Sequence, residues 1–126
     1  MRRIRILNAT RDEPLVESAE VADGFWSRMR GLLGHAPLAQ GEGMVIVPCQ
    51  WIHTLFMGFS IDVVYLGGDL RVVHLQENVL PNRLCSPVPR ASCVVELPAR
   101  AISRAGIQIG DQLEFQVDEE PLASHT

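Results

Sequence analysis

Ile61-Asp62-Val63-Val64-Tyr65-Leu66, then Gly67-Gly68-Asp69, then Leu70-Arg71-Val72-Val73-His74-Leu75: the reading of residues 61–75 decides the fold. Two runs rich in β-branched and aromatic residues flank a glycine pair, and glycine tolerates the positive φ angles of tight turns. The stretch therefore predicts a β-hairpin. On its C-terminal side, the spacing predicts a strand over 92–97, a short helix over 99–105 ending at Gly106, and a closing strand over 112–117 after a Gly110-Asp111 turn. On its N-terminal side, 44–47 and 51–57 read as strands punctuated by Pro48, Gly58 and Ser60. At the start, 3–7 and 15–21 read as a hairpin. Between them the period changes. Val21, Phe25, Met29, Leu32 and Leu33 fall on one helical face, with Asp23 as a candidate N-cap and Gly34 as a stop. Residues 78–89 carry three prolines and few periodic apolar positions, which predicts a long irregular loop.

Many short strands with two short helices and no alternating βα units predict an α+β fold. Its sheet should be mostly antiparallel and strongly curved, or a partial β-barrel. A length of 126 residues suits one domain, expected over 1–117, with 118–126 as an acidic, frayed tail.

The chain contains eleven basic residues, every one an arginine, and carries a net charge of −4. The missing lysine excludes Schiff-base chemistry, a lysine general base and the phosphate-binding lysine of a P-loop. The acidic balance disfavours nucleic acid as a partner, and the cluster Arg2, Arg3, Arg5 has no interleaved aromatics for stacking on bases. Cys49, Cys85 and Cys93 are odd in number and lack C-x-x-C spacing, so neither a disulfide framework nor a zinc knuckle is expected. No apolar run approaches the roughly 18 to 20 residues of a membrane helix. Nor does an apolar segment follow the first arginines as a signal peptide requires. A cytoplasmic protein with reduced thiols, no membrane contact, no metal and no cofactor is the expectation.

The densest polar constellation is 49–57 with Asp62. On a helix, Cys49, His53 and Met57 would align for one soft metal; on a strand, same-face neighbours lie about 7 Å apart, too far for one ion. A cysteine nucleophile with His53 as base and Asp62 as orienting group is a second arrangement, though no nucleophile elbow surrounds either Cys49 or Cys93. Asp62, inside an apolar strand, must be paired or exposed, with His53, Arg83 and Arg90 as possible partners. Glu96, in an alternating strand, is expected to face solvent. Trp51 reads as a core or rim residue, and Thr54 belongs to the same block.

Several ordered blocks resemble one family. They are Gly31-Leu32-Leu33, Gly43-Met44, Trp51-Ile52-His53-Thr54-Leu55-Phe56-Met57, Ile61 to Leu66, Val94-Val95-Glu96-Leu97-Pro98 and Gly110-Asp111. Together they are similar to the bacterial and archaeal domain of unknown function 192, over about residues 16–115. The resemblance implies a small, β-rich single domain with accessory helices and no established activity. This chain departs from the family at Arg100, where a glycine is usual.

The function expected from the sequence is a noncatalytic module binding a small molecule or a protein. Its rim would be formed by 51–57, Asp62 and the 78–89 loop, with Trp51, His53, Thr54, Met57, Asp62, Arg83 and Glu96 as candidate residues. The alternative is a small hydrolase or thiol-dependent enzyme using His53 and Asp62.

Overall fold

Alternating and continuous apolar runs become seven strands in a computed structural model that describes residues 2–24 and 37–117. They are β1 (Arg3–Asn8), β2 (Glu13–Ala22), β3 (Glu42–Ile46), β4 (Ile61–Leu66), β5 (Val72–Val79), β6 (Cys93–Pro98) and β7 (Leu113–Val117). One sheet contains them all, in the order β5-β4-β6-β3-β2-β1-β7. Every neighbouring pair is antiparallel except β2 and β3, which run parallel. The two edges approach each other. Arg71 bridges Gln112, the Val72 amide donates to Asp111 O at 2.9 Å, and the Leu113 amide donates to Leu70 O at 3.0 Å. The sheet is thus curled into a half-barrel, as the many short strands predict.

The described residues contain one helix, α1 (Ala101–Ala105). The longer predicted helix falls mostly on 25–36, outside the described residues, as does the predicted tail. Its expected first residue, Val21, is instead in β2, which runs on to Ala22. Pairing with β3 through Val21 and Val45 favours the extended form there.

Curling divides the apolar residues into two cores. Ile4, Ile6, Val16, Val45, Val64, Leu66, Val95 and Leu97 fill the concave side, and Ile102 of α1 plugs one end. Met44, Ile46, Ile61, Val63, Tyr65 and Val94 form a second cluster on the outer face, covered by Ile52, Met57 and Ala91 from the loops. Every residue of β4 is consequently buried. Period-two alternation places Asp62 with Val64 and Leu66 on the concave side, while Glu96 pairs with Val63 and Met44 on the outer one.

The predicted hairpin joins β4 to β5, but its left-handed residue is Leu70, at φ 66°, on the far side of the glycines. Gly43 is required for packing. A Cβ there would lie 3.1 Å from Glu96 O and 3.2 Å from Leu97 Cδ2. Residues 51–57 do not form the predicted strand. A single bridge, His53 to Leu84, is all that pairs, and Phe56 sits at φ 64°. The β-forming composition is overridden by side chains that satisfy the backbone locally.

Candidate functional site

Asp62 is fully buried, and both its oxygens are occupied by backbone amides. Oδ1 accepts from Asn78 N at 2.8 Å and Oδ2 from Ile102 N at 2.9 Å. The first contact fixes an irregularity in β5, where pairing with β4 jumps between Ile61 and Val63. The second satisfies an orphan amide of the first turn of α1, whose own N-cap residue Arg100 makes no side-chain cap bond. These amides take the place of the expected partners His53, Arg83 and Arg90. Asp62 therefore ties hairpin, sheet and helix together, with both oxygens engaged within the fold.

His53 lies on the other side of β4. Its Nδ1 accepts from Leu55 N at 3.2 Å, which leaves the proton on Nε2, and its half-buried ring is tilted against Trp51 at 5.9 Å. No hydrogen bond joins His53 to Asp62, and the sheet separates their faces. Cys93 lies in the concave core, where burial first and Cys49 second push its thiol up to about 11. A base, its orienting acid and a reactive thiolate are not brought together.

Thr54, also fully buried, closes the two loops on each other. Its Oγ1 donates to Leu80 O at 2.6 Å and accepts from Arg83 N at 2.9 Å. Asn82 Oδ1 accepts from Phe56 N, Cys85 N donates to Ile52 O, and Val88 N donates to Gln50 O. Met57 is buried beneath this ladder, whereas Trp51, Phe56, Leu80 and Leu84 project from it, with Phe56 81% exposed. Phe56, Leu80 and Leu84 fall within the expected rim of 51–57 and 78–89, but the sequence did not single them out. An exposed phenylalanine held at positive φ is the signal that only coordinates supply.

Glu96 contradicts its expected exposure: it is 3% exposed. β6 is an inner strand with a core on each side, so alternation has no solvent face to use. Its Oε1 has no hydrogen-bond partner among the described residues, and burial pushes its carboxyl up to about 8. Beside it, Tyr65 Oη donates to Gln76 Oε1 at 2.7 Å. Burial foremost, then Cys85, Cys49 and Glu96, raise the Tyr65 hydroxyl. Burial and then Glu96 likewise raise the Cys85 thiol, against a hydrogen bond with Gln76.

Two other polar features are structural or small. Buried Asp111 accepts from Asn8 Nδ2, Arg11 Nε and Gln108 N, tying the β1–β2 turn to the approach to β7. A cleft of about 190 Å³ between Leu15, Glu42, Pro98 and Arg104 is below the usual size of a ligand pocket, roughly 300 Å³ or more. Among the described residues no group of three His, Cys, Asp or Glu side chains could hold a metal ion. No helix among them is long and apolar enough to cross a membrane.

Comparison with known proteins converges on one family. Residues 6–115 match the family DUF192, described as Uncharacterized ACR. A UPF0127 protein of Thermococcus sibiricus is 31% identical over 120 residues, covering 91% of this chain and 77% of that protein. Another, of Pyrococcus furiosus, is 30% identical over 115 residues, covering 87% and 97%. Among solved structures, a protein of unknown function from Novosphingobium aromaticivorans superposes with a TM-score of 0.76 at 22% identity, over 89% of this chain and 83% of that one. A putative transcription regulator from Sinorhizobium meliloti gives 0.75 at 23%, over 90% and 92%. At those identities the likeness is one of fold.

Proposed function

We propose that this chain, which belongs to the DUF192 family, is a noncatalytic binding module that docks an apolar, acidic segment of a partner protein on its two joined loops. One observation carries the reading. Of the large hydrophobic side chains exposed among the described residues, Trp51, Phe56, Leu80 and Leu84 all stand on the ladder closed by Thr54, and only Ile109 and Val117 lie elsewhere. Exposed apolar side chains gathered on an ordered surface mark an interaction site more often than scattered ones do.

Charge selects the partner. Residues 47–60 carry no Asp, Glu or Arg, and residues 80–92 carry Arg83 and Arg90 with no acid, in a chain of net charge −4. The rim is thus locally cationic, which favours acidic neighbours around the apolar anchors. A second copy would bring the same cations to the same place. Two arginines on an acidic chain also offer little to nucleic acid.

A random twelve-residue peptide display library selected against the immobilised full chain tests the reading, with Phe56→Ser/Leu84→Ser as counter-target. The expected enrichment is for aromatic or aliphatic anchors flanked by Asp or Glu. A synthetic enriched peptide should lose at least tenfold affinity for the double variant and weaken as salt is raised. Equal enrichment on both targets would overturn the proposal, as would self-association in sedimentation that the double variant abolishes.

A further inference from the structure

The outer face of the sheet carries a buried carboxyl group with an oxygen that no hydrogen bond among the described residues satisfies. Register sets Gln76, Val63, Glu96 and Met44 in one row across β5, β4, β6 and β3, with Tyr65 in the next row on the same face. The row is closed above by the half-buried loop residues Cys49 and Cys85. Within it, Glu96 is almost fully buried and has an oxygen with no hydrogen-bond partner. A buried carboxyl group without a partner is costly, and native structures rarely leave one.

The chemistry of its surroundings says what is missing. Tyr65, Cys49 and Cys85 can carry only negative charge or none, and Gln76 Oε1 is already taken by the tyrosine hydroxyl. His74 lies against the Tyr65 ring at 5.4 Å, and no ion pair to Glu96 is formed by it or by any arginine among the described residues. The donors of the cluster are spent elsewhere, the Tyr65 hydroxyl on Gln76 and the Cys49 thiol on Trp51 O, and Gln76 is also hydrogen-bonded to Cys85, while Glu96 Oε1 receives none of them. Its walls, Met44, Val63 and Val94, are apolar. Gln76, Cys85 and Cys49 are only half-buried, so solvent reaches its edge.

We infer that Glu96, with Tyr65 and Gln76 beside it, anchors a binding site for an organic cation, an ammonium or guanidinium group on an apolar stem. The donors of the cation satisfy the carboxylate, and the stem runs out towards the half-buried edge at Gln76 and Cys85. The site lies beneath the loops that carry the rim, but its polar contacts, Glu96, Tyr65 and Gln76, belong to the sheet and are not those of the docking surface.

Butylguanidinium and butylammonium, titrated calorimetrically into the full chain between pH 6 and 9, are the probes. The cation binds the ionised carboxyl, which burial holds protonated up to about pH 8, so affinity should rise close to tenfold per pH unit towards 8 and then level off. Glu96→Gln should cost at least tenfold, Tyr65→Phe severalfold, and uncharged butyramide should not bind. If Glu96→Gln does not fold, the carboxyl ¹³C resonance of Glu96 in the unmodified chain decides, because the probe must move it. Equal affinity for the folded Gln variant, a flat pH profile, or an unmoved resonance at millimolar probe would overturn the inference. None of these outcomes bears on the peptide selection, so the two proposals fail separately.

Discussion

Asp62 and Glu96 are buried carboxyl groups on adjacent strands, one register position apart, yet they occupy opposite faces and opposite circumstances. Asp62 accepts two backbone amides and closes the concave core over α1. Glu96 faces the loop-covered side with an oxygen unpaired. A fold that can satisfy one buried carboxyl completely has the means to satisfy the other. The difference separates a group that holds the structure from one whose Oε1 finds no hydrogen-bond partner among the described residues.

The contrast breaks first at Asp62. Asp62→Ala removes the acceptor of the buried Ile102 amide and of the part-buried Asn78 amide, and should cost about 4 kcal/mol in urea unfolding. Asp62→Asn, which keeps an acceptor oxygen, should cost clearly less. A loss under 1 kcal/mol for the alanine variant would remove the structural role.

Glu96 should behave in the opposite sense. Its folded carboxyl is raised from 4.5 to about 8, so the native state binds more protons than the unfolded chain in that interval. Its contribution is fully present below pH 4.5 and is lost as pH rises to 8, by about 4 kcal/mol. Glu96→Gln cannot ionise, so unfolding free energies at pH 5, 6.5 and 8 should lose this share of the slope and favour the variant increasingly at the alkaline end. Parallel pH profiles would sink the claim.

Two smaller effects sharpen the picture of the surrounding scaffold. Thr54→Val removes a donor to Leu80 O and an acceptor for Arg83 N, and should cost about 2 kcal/mol with faster hydrogen exchange at the Arg83 amide. Unchanged exchange would mean the loops hold together without it. Arg100 precedes α1 at φ 75°, a left-handed conformation that costs a residue with a Cβ, so Arg100→Gly should stabilise by about 1 kcal/mol. A lower melting temperature would show that its side chain contributes more than its backbone strain.

The same contrast explains what the sequence could reveal. Alternation and glycine placement were enough to predict β4 and β5 and the need of Asp62 for a partner. The partners are amides 16 and 40 positions away, invisible to local pattern. Glu96 was misread because alternation presumes that one face of a strand meets water, and only the curl of the sheet with its covering loops gives β6 two buried faces. The run Val94-Val95-Glu96-Leu97 carried the signal, being almost continuously apolar in the manner of strands covered on both sides. The sequence pointed to 51–57 and 78–89 together, but not to which of their apolar side chains are exposed, because the exposure of Phe56, Leu80 and Leu84 depends on Thr54 joining segments 26 to 29 positions apart.

Site-specific ¹³C titration of the Glu96 carboxyl in the full chain, with and without butylguanidinium, distinguishes a satisfied buried carboxyl from an unsatisfied one. The free protein should titrate near pH 8, and the probe should draw the midpoint down by at least one unit while leaving the Asp62 resonance unaffected. A free midpoint in the ordinary carboxylate range, unmoved by the probe, would show that Glu96 is already satisfied and that the two carboxyl groups do not differ as described.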